Sequence, residues 1–585
     1  MFALSSILFS SFIQNGCEVD DMNKKNKKRS IFIGVAAILV LVLVSITVLV
    51  QNSKATETKE EAYVLPVASS QDVTELDYSN YEIDSVSDVY NPDIQSQIQE
   101  QLSELEASTQ ATVTDPLLVS NPYLTNRNSV YVNFKTTKEI ADVSYTVKTA
   151  NIPNFSETLV NSGTTTNFES QLIGLIAGEE NQASLTVTYT DGTTEVTSFT
   201  YTPQASNSGL GTQLDVTTYD NPTELSNGLY ALIGDSTLEN RVIALVDNEG
   251  YVRNEIPLVN YNSMRLSFDS DNNMVFAISN YSLVKMNQLG QVVAKYNVKD
   301  DGYLLHHDYA LDDEGNLIAL ATSIQAKAED DYVEDRVIKI DGETGAVTEI
   351  ADFADLLPDL YEKATGKVVS TAEKGARDIV HINTIQYIND DELILSSRET
   401  SSIMKLTDVS TSAQISTIIS DSDFWDDIDT NGAALLQKEG DFTSQLGQHS
   451  VTYEAGADDE HYTLYMFNNN SAVMDSRTDL DMTPYLEAGA GTTDLTSTEN
   501  SYYYEYEVDE SAGTYKLVKE FSVPYSTFIS SVQKLGSNYL VDSGQVATFT
   551  EYDENGAPIA TFTTTGEEKF LYRVYKYEFS GYYFK

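Results

Sequence analysis

Cysteine occurs once, as Cys17, so no disulfide can form within the chain. A chain without disulfides normally belongs to a reducing compartment, an inference that the N-terminal segment overrides. Tryptophan also occurs once, and histidine only five times. Positive charge is scarce: 35 lysines and arginines stand against 89 acidic residues, for a net charge of −54. A field of that sign repels phosphate backbones and argues against nucleic acid as a partner. It is equally unfavourable to an anionic substrate, so an anion site here needs its own local cations.

The long apolar run is at 31–50, IFIGVAAILVLVLVSITVLV, twenty residues without a charge. As a helix it is long enough to span a bilayer. Lys24, Lys25, Lys27, Lys28 and Arg29 precede it, and the positive-inside rule places residues 1–30 in the cytoplasm and the chain beyond residue 50 outside. The expected localisation is the cell membrane, with a single-pass anchor and the domains beyond residue 50 extracytoplasmic. The alternative is a signal peptide, cleaved at Ser53-Lys54-Ala55 to give a secreted protein, although the run is long for that role. Met22 stands just ahead of the basic cluster and is a candidate start, in which case 1–21 is not translated.

Tyrosine and phenylalanine are abundant, at 37 and 21, and long apolar helical patterns are few, which predicts an all-β protein. A chain of 585 residues has room for about two to four domains. Residues 51–116 are polar and read as a stalk with one short helix near 94–105. From 117 to 205, β-like runs at 130–134, 143–147, 184–189 and 195–201, with a turn at Asp191-Gly192, predict a small β-sandwich. From 206 to 585 a pattern of two hairpins recurs. The first hairpins fall at 228–234, 264–279, 307–323, 381–397, 449–467 and 528–542. The second carry turns at 247–250, 287–290, 341–345, 406–410, 509–513 and 553–556. Two hairpins make one four-stranded blade, so the pattern predicts a six-bladed β-propeller. The strand at 570–579 has no hairpin partner and is placed to pair with the first blade.

Four of the five histidines fall in three stretches: Leu305-His-His-Asp-Tyr, Val380-His-Ile-Asn-Thr and Gln448-His-Ser-Val. Each begins the first strand of a blade, and first strands line a propeller's channel, so the three stretches should converge at one mouth. Aligning Leu317 with Leu393 matches His307 to Asn383, with His381 two residues earlier on the same face. Alternation thus turns His307 rather than His306 toward the channel. His461 follows a turn at 458–460 and reads as a surface residue. A lone histidine in a β protein is usually a satisfied core or surface residue; convergence of three favours a functional cluster. Zinc is an alternative use of three histidines, but no His-x-His pair is present. Arg398, on the second strand of the His381 blade, either pairs with Glu399 at the surface or clamps an anion.

Arg377-Asp-Ile-Val-His-Ile-Asn-Thr-Ile, followed by Asp391-Glu-Leu-Ile-Leu-Ser-Ser-Arg, resembles the signature of the bacterial arylsulfate sulfotransferases. His306-His-Asp-Tyr with Asp313-Glu-Gly-Asn-Leu, and Gln448-His-Ser with Phe467-Asn-Asn-Asn, resemble that family's other two blocks. The resemblance covers roughly 117–585 and is carried by the three blocks in order. It implies transfer of a sulfuryl group from a phenolic sulfate ester to a phenolic acceptor, without a nucleotide sulfate donor, cofactor or metal. Carried over, His449 is the transiently sulfated nucleophile of a ping-pong cycle. His307 or its neighbour His306, together with His381, Asn383 and Arg398, bind the sulfuryl oxygens and move protons. Ser526 or Thr527 supplies a hydroxyl from the last blade. Some relatives outside the cytoplasm carry a disulfide, which this chain cannot form. The expected partners are small phenols and the membrane, with a homo-oligomer left open. Two rivals remain: a non-catalytic surface propeller that binds a ligand, and a sulfatase-like hydrolase. The latter chemistry needs a modified Cys or Ser with a metal cluster, and Cys17 lies on the wrong side of the membrane.

Overall fold

The computed structural model describes residues 72–233, 241–259, 264–368, 374–478, 480–486, 500–564 and 570–585. Residues 1–30, the apolar run 31–50 and residues 51–71 of the expected stalk lie outside the described residues. Among the described residues no helix is long and apolar enough to cross a membrane.

Residues 72–116 are not the polar stalk expected of them. Helix Pro92–Ser108 starts on Asn91, whose side chain accepts from the Asp93 N–H at 2.9 Å, with Pro92 in the first turn where its missing N–H costs nothing. Ile94, Ile98 and Leu102 recur every fourth residue and bury one stripe. Between them Gln95 is fully buried and donates to the Val89 and Tyr123 carbonyls at 2.7 and 3.0 Å. That stripe shares a core with Val119 and Tyr131 of the following domain and with Phe276. Composition hid it because the other faces of the helix are almost wholly Ser, Gln and Glu.

Two facing sheets follow. Leu117–Ser120, Val130–Lys135 and Asn167–Leu172 form one; Ile152–Thr158, Ile140–Thr149, Asn181–Tyr189 and Thr194–Tyr201, in that order, form the other. In Ile140–Thr149 the residues Val143, Tyr145, Val147 and Thr149 are buried, whereas Ser144 and Lys148 are exposed, the period of two that a half-buried strand requires. Asp191 accepts the Thr193 N–H at 2.9 Å, and Gly192, at φ 80°, supplies the left-handed turn residue of its hairpin.

Among the described residues the rest of the chain builds six mainly antiparallel sheets in succession. The second is Ser267–Phe268, Met274–Ser279, Ser282–Met286 and Val292–Asn297; the third is Tyr303–Leu311, Leu317–Ser323, Arg336–Ile340 and Val347–Asp352. The fourth runs Ile382–Asn389, Glu392–Ser397, Ser402–Thr407 and Gln414–Ile419, with Ala434–Leu435 added in parallel. The fifth runs His449–Asp458, His461–Asn468, Asn500–Asp509 and Thr514–Pro524, with Gln437–Lys438 beyond. The sixth is Ser531–Leu535, Asn538–Ser543, Thr548–Tyr552 and Pro558–Thr563.

Both ends of this region are shared between sheets. Asp215–Thr218 pairs with Pro558–Thr563 and extends the sixth sheet. The segment expected as a hairpin at 228–234 contains one strand, Leu229–Ile233, and its partner is the C-terminal strand Arg573–Tyr577. The first sheet is completed by Val242–Val246 and Val252–Pro257. Fully buried Lys576 fastens the first sheet to the sixth, with Nζ 2.6 Å from Glu551 and from the Ser226 carbonyl. Antiparallel meanders put alternate connections at opposite ends. The entry to each first strand and the turn from second to third strand therefore share an end, and the candidate site residues are found there.

Candidate functional site

At these entries the strands are not regular. Leu305 pairs with Ala321 and Tyr309 with Ala319, so His306, His307 and Asp308 bulge opposite one residue. His307 has φ 49°, and His381, just ahead of Ile382–Asn389, has φ 46°. Ser450, inside the bulge that follows His449, has φ 55°, and Ile529 and Ser530, ahead of Ser531–Leu535, have φ 56° and 89°. Left-handed backbone at a non-glycine residue costs about 1–3 kcal/mol, and such residues cluster at functional sites. Alternation between His306 and His307 is broken by this geometry. Both rings turn to the same place, with His306 Nδ1 3.0 Å from His307 Nδ1. The His307 ring in turn meets the His381 ring edge-on, centroids 4.6 Å apart.

The fixed partners of His449 define its tautomer. Nδ1 lies 2.8 Å from Asn469 Oδ1 and 3.0 Å from the Gly447 carbonyl, both acceptors. Asn469 cannot present its amide nitrogen instead, because that nitrogen donates to the Ser526 and Ile529 carbonyls at 2.9 and 3.1 Å. Nδ1 therefore carries the proton and Nε2 the lone pair. Burial, helped by the positive charges of His381, Arg398 and Arg573, pushes the His449 pKa down to about 3 against the Asn469 hydrogen bond. The ring stays neutral, and among the described residues Nε2 meets the Ile529 N–H at 3.3 Å.

His381 is tuned the other way. Burial and Arg398 oppose its charge, but Asp378 and Glu334 prevail and raise it to about 9. Its Nδ1 lies 2.5 Å from Asp378 Oδ2 and 2.6 Å from Glu334 Oε2. Two buried carboxylates around one imidazolium do not both ionise easily. Burial pushes Asp378 up to about 7, while Glu334 is held well below the usual carboxylate range by His381 and His307 despite its burial. Burial lowers His306 to about 4 and His307 well below the ordinary histidine value.

Arg398 sits on the turn after Glu392–Ser397, and its backbone N–H donates to the His381 carbonyl at 3.1 Å. It does pair with Glu399, at 2.5 Å, but not at the surface: Glu399 is 1% exposed and also accepts the Asp475 and Ser476 N–H groups at 2.9 Å. The guanidinium lies 3.8 Å from Asp378, and its Nε has no hydrogen-bond partner among the described residues. Asn383 is fully buried and donates to the Gln448 carbonyl at 2.8 Å, which places it behind His449 as a backbone support. Ser526 donates to the Phe528 carbonyl, and the Thr527 N–H to Gln545 Oε1. Both residues border the loop whose Ile529 meets His449. His461 stands apart, 42% exposed, beside Asp458.

Three residues of the site were not singled out by sequence. Asp378 lies three before His381 and Asn469 within the Asn468–Asn470 run, so each had a local signal; Glu334, on the turn ahead of the third strand of its sheet, had none. One ligand atom each of His307, Glu334 and His381 lie within 4.8 Å of one another, so this trio is able to contact one divalent cation.

The arylsulfotransferase (ASST) family model matches residues 215–583, and the arylsulfotransferase Ig-like domain model matches residues 117–206. The chain belongs to the arylsulfotransferase family and is an aryl-sulfate sulfotransferase. A search of curated proteins gave no match. Among solved structures, a candidate 6-phosphogluconolactonase of Bacteroides uniformis is 10% identical over 74% of this chain and 99% of its own, with a TM-score of 0.30. Another from Bacteroides fragilis is 11% identical over 61% and 99%, with a TM-score of 0.33. AztD of Citrobacter koseri is 10% identical over 60% and 98%, with a TM-score of 0.25. Similarity at that level carries no functional argument.

Proposed function

We propose that the enzyme moves a sulfuryl group from an aryl sulfate to a phenol by a ping-pong mechanism through a sulfohistidine on His449. The observation that carries this reading is the pairing of His449 Nδ1 with two acceptors, which leaves a neutral imidazole whose Nε2 lone pair, met by the Ile529 N–H across a long 3.3 Å contact, is the one that attacks. His449 Nε2 attacks sulfur, the bond from sulfur to the aryl oxygen breaks, and its electrons stay on the departing oxygen. His381, charged and with Nδ1 held by carboxylates, gives its Nε2 proton to that oxygen. The sulfated ring becomes cationic, and Asn469 Oδ1 and the Gly447 carbonyl accept from its Nδ1–H. Arg398, His307 and His306 bind the sulfuryl oxygens. Thr527 and Ser526 flank the transferring group, and Asn383 holds the Gln448 backbone under the nucleophile. An acceptor phenol then returns a proton to His381 as its oxygen attacks sulfur, and the electrons of the nitrogen–sulfur bond return to Nε2.

We take the six sheets to be blades of a propeller closed by the pairing of Arg573–Tyr577 with Leu229–Ile233, with the site at the mouth of the channel. The basic cluster and apolar run at 24–50 support an extracytoplasmic catalytic region, anchored or released. Mass spectrometry of protein mixed with an aryl sulfate and no acceptor tests the mechanism. One phenol should be released per chain as a burst, and the peptide containing His449 should gain one sulfuryl group that is labile in acid. His449→Ala should abolish adduct and transfer together. A label on His307 or His381, or transfer retained in His449→Ala, overturns the assignment.

A further inference from the structure

Glu334 is one of the two carboxylates on His381, and none of the three histidine-bearing stretches contains it. Its backbone is pinned from two sides: its N–H donates to Thr322 Oγ1 at 2.9 Å, and its carbonyl accepts the Ile382 N–H at 3.1 Å. The latter contact ties the third sheet to the residue immediately after His381. Val333 and Arg377 strengthen the tie, the Val333 N–H donating to the Arg377 carbonyl at 3.3 Å and the Arg377 N–H to the Asp331 carbonyl at 2.7 Å. Glu334 itself has φ 59°. Three residues in mutual contact, His307, Glu334 and His381, thus all hold left-handed backbone, an arrangement with a cost that packing alone does not require. The carboxylate oxygen so aimed lies 2.6 Å from His381 Nδ1 and 3.9 Å from His307 Nδ1.

We propose that Glu334 is a positioning residue for sulfuryl transfer, bridging His307 and His381 and fixing His381 so that Nε2 is the nitrogen offered to the departing phenol. Its partner in this is Asp378, on the same Nδ1. The proposal rests on the sulfohistidine reading for the step it serves: as the bond from sulfur to the aryl oxygen breaks, the His381 Nε2–H bond breaks and its proton joins that oxygen. The titratable and charged groups that face His381 are Asp378, Glu334, Arg398, His306, His307 and His449, and those that face Glu334 are His306, His307, His381, Asp378 and Arg398. Of the two carboxylates on His381, Glu334 alone also reaches His307.

The test is Glu334→Gln, which keeps shape and removes charge, assayed against aryl sulfates whose phenols differ in acidity. A phenol that leaves as a stable anion, as 4-nitrophenol does, needs little protonation; unsubstituted phenol needs much. The kcat/KM for phenyl sulfate should fall about 10–100-fold, the scale of a general acid's contribution. The loss for 4-nitrophenyl sulfate should stay below about threefold. An equal loss for both substrates, or none, overturns the proposal. Should the variant not fold, Glu334→Asp, which keeps the charge and shortens the reach to His307 and His381, is assayed on the same two substrates, and its loss should again be larger for phenyl sulfate. Here too, an equal loss for both substrates, or none, overturns the proposal. Absence of sulfuryl transfer by the wild-type chain would instead overturn the mechanism proposed for His449, and with it the step that Glu334 serves.

Discussion

Asn469 Oδ1 lies 2.8 Å from His449 Nδ1, and the same amide's nitrogen is tied to the Ser526 and Ile529 carbonyls. A neutral amide in the place where many catalytic histidines have a carboxylate fixes the tautomer, and its hydrogen bond raises the basicity of His449 too little to overcome burial. Asn469→Leu should leave Nδ1 with the Gly447 carbonyl alone and loosen the 526–530 loop. A loss of roughly 10–100-fold in kcat/KM is expected, from about 1–3 kcal/mol for a buried group left unpaired. Asn469→Asp should do the opposite of helping: a carboxylate there favours the imidazolium, which has no lone pair on Nε2. The rate of the phenol burst in single turnover, compared across the three proteins, measures both effects.

Arg398 is held by Glu399 and approaches Asp378, with its Nε unmatched among the described residues. Lysine retains the charge but not the planar fork. Arg398→Lys should lose roughly 1.5–3 kcal/mol of transition-state stabilisation, the range for a charge-assisted hydrogen bond. Unchanged kcat/KM would show that the guanidinium does not touch the sulfuryl group.

How far the sequence could lead is clear from particular residues. The strands of the N-terminal sheets were legible because Val143, Tyr145 and Val147 alternate with polar residues, and the hairpin turns of the later sheets because Asp-x-x-Gly runs such as 247–250 and 553–556 mark them. The C-terminal strand at 573–577 was legible as a run without a hairpin partner. The strand at 215–218 was not, because it is short and polar and its partner lies about 340 residues away. His307, His381 and His449 stood out by rarity in a chain with five histidines. Their orientation did not follow from alternation, since a bulge and left-handed backbone reset the faces at 306–308. Glu334 was invisible for a simpler reason: in a chain with 89 acidic residues, one more glutamate carries no signal until the fold sets it against two histidines.

The trio His307, Glu334 and His381 would bring three ligands to a divalent cation, yet in the proposed mechanism the place of the cation is taken by a proton. Activity should therefore survive exhaustive chelation, and added Zn²⁺ should inhibit by displacing that proton from His381. Measuring transfer across a titration of chelator and then of Zn²⁺ separates the cases. Loss on chelation with recovery on metal would assign the site to metal-assisted chemistry.

The pH dependence follows from two oppositely tuned histidines. His449 must be neutral to attack, and its pKa is pushed down to about 3, so its neutral form is already dominant by about pH 4. His381 must be charged to protonate the leaving phenol, and its pKa is raised to about 9, so the required form is lost as the pH rises through that value. The first phenol release, measured as kcat/KM for the donor, should be flat from about pH 5 to 8 and decline above about 9. An ordinary pair of histidines would give a narrow bell near 6.5. Asp378, pushed up to about 7, titrates inside the plateau; its ionised form is one of the two charges that raise His381 to about 9, so the upper limb already includes it. Asp378→Asn removes that charge and should bring the upper limb down toward neutral pH, as should Glu334→Gln. His449→Ala shows no limb at all, since it makes no adduct. If instead the wild-type profile falls between pH 6 and 7, His381 is neutral in the working enzyme, and the proton donor must be sought elsewhere.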